Sequence, residues 1–472
     1  MQDKTGVIAW ARNEFGATDL GDVRRTRRLV AMAIGAAKRP SGKVSSVFDR
    51  SREREGAYDF LESPHVDADA VAASVFDATL RRACGQKTVF VSIDGSSLSL
   101  TDETGTKGFG PVGSPNCPVT GLMMMNALAV TRDGVPLGLI DQLWWNRAPT
   151  RDKTRREKFL ENAKKPFDEK EPAYVLRAAQ NAIDRFAAQE TRVWVVIDRE
   201  ADNGDILRGL IEADCIFTVR GGRYDRRVLD DDAEHIYELL DREPSLGTYE
   251  VEAKRRGGAK KKTVVDVRAT QVTLLISPYA DRPACGLRLW AIRLRDASGA
   301  PDGPDWLLYT NVPVLSMEHA RGIIASYETR WRVEEFHRTW KQGQCNVEDA
   351  QLHSEQAVIV WATILAAIAT RIERLKYLSR RTPDEPATIE FQPEEIEVLK
   401  LDQKRRWTKR KRIPKNPTIA QTTGWLAELG GWIGPGNGPP GSTTLARGLE
   451  RLGYLVEGFL LARQVAAVRS RT

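Results

Sequence analysis

Two apolar runs rich in β-branched residues, Thr88 to Ile93 and Val193 to Ile197, each lead directly into an aspartate, Asp94 and Asp198. Runs of this length and composition predict buried strands, and ligand sites in α/β sheets form beyond the carboxyl ends of such strands. Apolar-rich runs over Leu122–Thr131 and Val135–Leu143, turned by Arg132-Asp133-Gly134, predict a hairpin. A helical pattern near Ala173–Ala188 precedes the second run, and a short helix and a strand at Cys215–Arg220 follow it. The predicted order is three strands, helix, strand, helix, strand. Between Arg220 and Ser316, alternating segments such as Thr263–Arg268 and Leu287–Arg295 predict an antiparallel β insertion, about 221–315.

Beyond the insertion the period becomes helical. Ser316 is an N-cap by residue type, and the helix it is expected to cap carries Tyr327, Arg330, Glu334 and Lys341 at spacings of three, four and seven. At 100° per residue these four fall within about 60° of one another, while Val333, Phe336 and Trp340 form the opposite, core face. Alone, a Glu between Arg and Lys is a solvated salt-bridge face. The stretch Ala357–Thr370 predicts a buried helix, too short for the roughly 18–20 residues a bilayer span needs. Residues 1 to about 70 read as helical, with Thr18 or Asp19 as a cap and Arg24, Arg25, Arg27 and Arg28 on an early helix. In the last helix Leu445, Leu449, Leu452, Val456 and Phe459 step by four and three, a seam for either a partner chain or its own domain.

Chemistry changes the weight of these elements. A strand-end Asp is by itself most often a turn or cap residue. Two such aspartates with a later helical Glu form a donor set for a pair of divalent cations, because hard cations take carboxylate oxygens and need few of them. Such ions, about 3.5–4 Å apart, stabilise both the attacking and the leaving oxygen of a phosphodiester.

The segments Asp198-Arg199-Glu200-Ala201-Asp202 and Tyr327 to His337 resemble the DREAD and Y-R-E-K signatures of bacterial cut-and-paste DDE transposases of the Tn-five type, insertion-sequence family four. The resemblance extends to Leu20-Gly21-Asp22 with Arg24-Arg25-Thr26, Glu55-Gly56-Ala57-Tyr58, Trp144-Trp145 and Leu429-Gly430-Gly431-Trp432, and so covers essentially the whole chain. It implies an RNase H-like catalytic core at 71–372 with the β insertion, a helical DNA-binding domain at 1–70 and a helical dimerisation domain at 373–472. It implies that Asp94, Asp198 and Glu334 bind two Mg²⁺ ions, with Mn²⁺ as a substitute, and that Tyr327, Arg330 and Lys341 contact DNA phosphates. Trp306, 21 residues before Tyr327, corresponds to a Trp that receives a flipped base, whereas its position alone favours a core strand. Arg220, 22 residues after Asp198, corresponds to an Arg of the same pocket. The implied activity is nicking, hairpin formation, hairpin opening and strand transfer of double-stranded transposon ends into target DNA by a homodimer.

Net charge is +7, with 71 basic against 64 acidic residues, so distribution matters more than sum. Basic residues cluster at Arg24–Arg28, at Lys254–Arg256 with Lys260–Lys262, and at Lys404–Arg406 with Lys409–Arg412 and Lys415. Each is a phosphate footprint or a solvated loop, the second being also a hairpin turn around Gly257-Gly258. The five Cys form no CxxC pair and the His no ligand spacing, against a zinc site or a disulfide framework. No signal-peptide pattern, bilayer span or Walker loop appears, so a bacterial cytoplasmic, nucleoid-associated enzyme without a nucleotide cofactor is expected. Two rivals remain, a catalytically silent inhibitor occupying transposon ends and an RNase H-like nuclease without joining activity. The first would have lost a triad residue or the N-terminal arginines, and simple hydrolysis needs neither the full Tyr-Arg-Glu-Lys set nor Trp306.

Overall fold

The computed structural model describes residues 6–103, 105–113, 119–148, 154–230, 233–254, 260–277, 283–406 and 413–469. The first five helices are α1 (Gly6–Phe15), α2 (Val23–Lys38), α3 (Val44–Val47), α4 (Ser51–Leu61) and α5 (Ala68–Ala83). The cap of α2 is Asp22, whose side chain accepts from Arg24 N–H. The expected caps act otherwise: the Thr18 hydroxyl donates back to the Phe15 carbonyl, and Asp19 accepts from Gly21 N–H. Asp22 prevails because it also forks with the Arg24 guanidinium. The expected boundary at residue 70 falls inside α5.

A twelve-stranded sheet follows. Its first part is β1 (Thr88–Ser99), β2 (Gly110–Pro111), β3 (Thr120–Val130) and β4 (Pro136–Trp145). Next come α6 (Arg155–Lys164), α7 (Ala173–Phe186), β5 (Arg192–Ile197), α8 (Gly204–Glu212) and β6 (Ile216–Gly221). β1 lies parallel to β5 and antiparallel to β3, which pairs with β4, and β5 lies parallel to β6. The order β4-β3-β1-β5-β6 is the RNase H-like arrangement. Unlike the expected abrupt end at Asp94, β1 continues to Ser99, because antiparallel pairing with β3 outlasts the parallel pairing that stops at Ile93↔Ile197.

The insertion holds β7 (Arg227–Asp230), β8 (Ala233–His235), α9 (Ile236–Arg242), β9 (Gly247–Lys254), β10 (Lys260–Ile276), β11 (Cys285–Asp296) and β12 (Asp305–Thr310). It extends the core sheet directly, since β12 pairs with β6, and Trp306 lies on this last strand as expected. Residues 255–256 of the second basic cluster, its Gly257-Gly258 turn and residues 409–412 of the third cluster lie outside the described residues.

The remaining helices are α10 (Met317–Glu328), α11 (Trp331–Lys341), α12 (Glu355–Arg381), α13 (Pro393–Arg406), α14 (Ile419–Leu429) and α15 (Ser442–Arg469). Ser316 caps α10, not a continuous helix reaching Glu334. The chain tightens at Thr329-Arg330, where the N–H groups of Thr329, Arg330, Arg332 and Val333 bond carbonyls three residues back. The Thr329 hydroxyl donates to the Ser326 carbonyl at 2.6 Å, and such back-bonding bends helices.

α12 is buried along most of its length and packs against α2, α4, α5, α11, α14, α15 and β4. The expected boundary at 372 falls within this one helix. Of the two partners its spacing allowed, the α15 seam takes its own chain, with Leu445, Leu449, Leu452 and Val456 all buried. α15 crosses α14 where Gly430 meets Gly448. A Cβ on Gly430 would stand 2.0 Å from the Thr444 carbonyl oxygen. No described helix is long and apolar enough to cross a membrane.

Gly430 has φ of −75°, which Ala adopts freely, so Gly430→Ala isolates the steric term. We expect a loss of about 1–3 kcal/mol from forcing α14 and α15 apart, read as a lowered melting temperature. An unchanged melting temperature would show that the crossing is loose.

Candidate active site

The apolar residues of β1 and β5 are buried, and pairing in parallel they set Asp94 and Asp198 side by side just beyond Ile93↔Ile197. Both aspartates line one cavity of about 350 Å³ with Glu200, Trp145, Arg147 and Glu171. Asp198 also caps the short turn that follows it, accepting from Glu200 N–H at 2.7 Å. The Glu200 carboxyl is pushed above its ordinary value, chiefly by burial and then by the charges of Asp198 and Asp94. Three carboxylates therefore share one field.

α11 brings Glu334 to this site. Val333, Phe336 and Trp340 are buried as expected, and the Trp340 indole N–H donates to the Ala362 carbonyl on α12 at 2.9 Å. On the other side Arg332 is nine-tenths buried and donates from Nε to the Gly134 carbonyl at 2.9 Å. A side chain at Gly134, which has φ of +81°, would press on that guanidinium. Glu334 is ion-paired with Arg330, whose Nη1 stands 3.9 Å from Asp198 Oδ2. Arg330 is buried, and its Nε and Nη1 make no hydrogen bond among the described residues. The solvated-face reading of this stripe thus fails at Arg330 and Tyr327, both almost wholly covered.

A second cluster adjoins the first. Trp306, partly exposed, packs edge-on against Tyr327 with ring centroids 5.9 Å apart, and the Arg220 guanidinium lies 5.7 Å from the Trp306 ring. Burial pushes the Tyr327 phenol up against the pull of Arg220 and Arg330. Lys341 donates to Ser96 Oγ at 3.1 Å on β1 and stands 3.6 Å from Glu348. The structure thus gathers Tyr327, Arg330, Arg220, Trp306 and Lys341 around the strand ends. Arg24, Arg25, Arg27 and Arg28 lie apart on α2. Arg24, Arg27 and Arg28 are exposed, and Arg25 donates to the Leu20 carbonyl at 2.8 Å.

Three family models match the chain. Residues 8–66 match the model described as Transposase DNA-binding, residues 174–371 that described as Transposase DDE domain, and residues 367–468 that described as Transposase Tn5 dimerisation domain. The chain belongs to the Tn5-type DDE transposases. The matched DDE segment of the transposase includes Asp198 and Glu334, and Asp94 precedes it. The matches to DNA-binding and dimerisation domains make DNA and protein its partners.

Catalysis by the DDE domain depends on metal ions. The donor chemistry here fits: Asp94 and Asp198 are oxygen donors on neighbouring strands, mutually repelling and open to the same cavity. Among the described residues, however, no three His, Cys, Asp or Glu stand close enough to hold an ion between them. In this state the Glu334 carboxylate is occupied by Arg330.

Two residues of the site were not anticipated from sequence. Glu200 enters because the short turn after β5 lines the cavity. His337 Nδ1 stands 3.4 Å from Asp94 Oδ2, and its place three residues after Glu334, on the same helical face, was the signal that could have found it.

If Asp94 and Asp198 act on Glu200 as the geometry indicates, Asp94→Asn and Asp198→Asn should each lower the Glu200 carboxyl pKa, since each removes a repelling negative charge. Carboxyl-carbon NMR titration of the metal-free transposase measures this. A value unmoved by both changes would place the aspartates elsewhere.

Proposed function

We propose that this transposase binds the inverted ends of its own element at the bacterial nucleoid. It nicks one strand, turns the freed 3′-OH on the opposite strand to form a hairpin, reopens the hairpin and joins the end to target DNA. All four steps are in-line phosphodiester displacements, so one site serves each. Asp94, Asp198 and Glu334 would hold two Mg²⁺ ions, or Mn²⁺ in their place. When bound, such ions stabilise the attacking and leaving oxygens. The observation that carries this reading is the Asp94–Asp198 juxtaposition with Arg330 joining Asp198 to Glu334.

The chain's own groups divide the remaining work. Arg330, Lys341 and Tyr327 bind the phosphates beside the cleavage point, Arg as a fork and Lys as a point charge. Trp306, with an open face and Arg220 at its edge, stacks on an extruded base, offsetting the few kcal/mol that extrusion costs. The arginines of α2 hold the outer part of the end. The second face of α15, where Tyr454, Leu461, Val465 and Val468 are exposed at spacings of seven, four and three, receives the partner protomer.

Incubation with the element's terminal repeats and Mg²⁺, followed by denaturing gels, should reveal nicked and then hairpin ends. Asp94→Ala, Asp198→Ala and Glu334→Ala should each reduce nicking to background while end binding persists. Loss of binding in all three, or residual nicking in any, would contradict the triad.

Trp306→Ala should slow hairpin formation about ten- to a hundredfold, the worth of about 1–3 kcal/mol of stacking, and leave the first nick largely intact. Equal slowing of both steps with a large fall in melting temperature would make Trp306 a packing residue.

A further inference from the structure

A chain of buried polar side chains runs from Asp94 into the protein. His337 on α11 faces Asp94 Oδ2 with Nδ1, and its Nε2 lies 2.9 Å from Asn126 Nδ2 on β3. Asn126 Oδ1 accepts from Gln142 Nε2 on β4 at 2.8 Å. Gln142 Oε1 lies 3.3 Å from the hydroxyl of Thr363 on α12, which is also 2.8 Å from the Ile359 carbonyl. Asn126 is wholly buried, and Gln142, His337 and Thr363 are each less than a tenth exposed. Polar groups this deep weaken a core unless each finds its partner, and here four elements supply them in sequence.

The direction of the chain decides where the histidine proton sits. With Asn126 Oδ1 accepting from Gln142, the Asn126 NH₂ must face His337, and an amide nitrogen only donates. Nε2 is then the acceptor and the ring proton is on Nδ1, pointing at the Asp94 carboxylate. The reversed chain would set the Nδ1 lone pair of a neutral ring against that carboxylate, which electrostatics opposes. The neighbour of a histidine nitrogen commonly fixes its tautomer in this way.

We propose that His337 is a positioning residue: its Nδ1–H holds Oδ2 of Asp94, while Asn126 and Gln142 lock the tautomer, so that the outer oxygen of Asp94 is presented to a divalent cation. The proposal rests on Asp94 being a cation ligand, as in the function above. Second partners of this kind typically change metal affinity ten- to a hundredfold.

Two substitutions of the full-length protein separate the two ring nitrogens. The His337→Gln amide reaches the Nε2 position and keeps Asn126 but offers no donor to Asp94. The His337→Asn amide sits at the Nδ1 position and keeps the donor. Mn²⁺ binding, followed by the electron paramagnetic resonance of free Mn²⁺, should weaken about ten- to a hundredfold in His337→Gln and return towards wild type in His337→Asn. The metal-free melting temperature should fall in His337→Asn at least as far as in His337→Gln, because it leaves the buried Asn126 amide unpaired. Equal loss in both, or none in His337→Gln, overturns the proposal. Asp94→Asn is the control: if it binds Mn²⁺ like the wild type, the ligand assignment of Asp94 fails instead. Nitrogen-15 NMR of the metal-free wild type gives a reading independent of any variant. The Nδ1–H tautomer at His337 supports the lock, and the Nε2–H tautomer refutes it.

Discussion

The parallel pairing of β1 with β5 is the constraint on which the site depends. Asp94 and Asp198 are separated by more than a hundred residues, and nothing local brings them together. What does is the burial of Val89, Phe90, Val91 and Ile93 beside Val193, Val195, Val196 and Ile197. A strand shifted by one residue exchanges the side chains of its two packed faces, so the register is enforced by the fit of every buried side chain in both runs. The two like charges are thereby held at a separation they would not choose. The core supplies the free energy for that approach, and the charges of Asp198 and Asp94 add to the burial that pushes the Glu200 carboxyl up.

The third acid is placed by a different device. α11 has two anchored faces: Trp340 bonds the backbone of α12, and Arg332 bonds the hairpin turn at Gly134 while lying 3.8 Å above the Tyr377 ring. α12 is itself fixed to the N-terminal part, where the Trp361 indole donates to the Gly42 carbonyl at 2.8 Å. The position of Glu334 is therefore set by the whole helical half of the protein. The tight turn at Thr329-Arg330 sends Arg330 inward between the strand ends and the Glu334 carboxylate.

Legibility in the sequence followed the range of the interaction. The two strands, the β3–β4 hairpin and the β insertion were readable, because alternation and Gly-containing turns are written into adjacent residues. The bend at Thr329 was not, since the stripe Tyr327 to Lys341 keeps its helical period through a tightened turn marked by backbone bonds three residues back and by the Thr329 hydroxyl on the Ser326 carbonyl. The α2 cap was misplaced because Thr18, Asp19 and Asp22 are all capping types, and the choice lies in the fork between Asp22 and Arg24. The α15 seam could not reveal its partner, because spacing defines an apolar face and says nothing about what covers it. The tyrosine, tryptophan and arginine cluster was reached through the family resemblance. Side chains on β6, β12 and α10 meet only after the insertion has folded back onto the core sheet.

The electrostatics of the site explain why cations and carboxylates alternate through it. Asp94, Asp198, Glu200 and Glu334 make one locality acidic in a chain of net charge +7, and bare carboxylates repel a DNA phosphate. Among the described residues, the bases assigned to phosphates are already held on acids: Arg330 on Glu334, Lys341 near Glu348. Such pairing limits the desolvation cost of a buried guanidinium while the site lacks DNA. A divalent cation inverts the local field. The Glu334 carboxylate that neutralises Arg330 in the free protein would then neutralise metal, leaving the released guanidinium to take the phosphate. In the proposed function, cation binding in this way frees Arg330 for the phosphate of an end that is already bound.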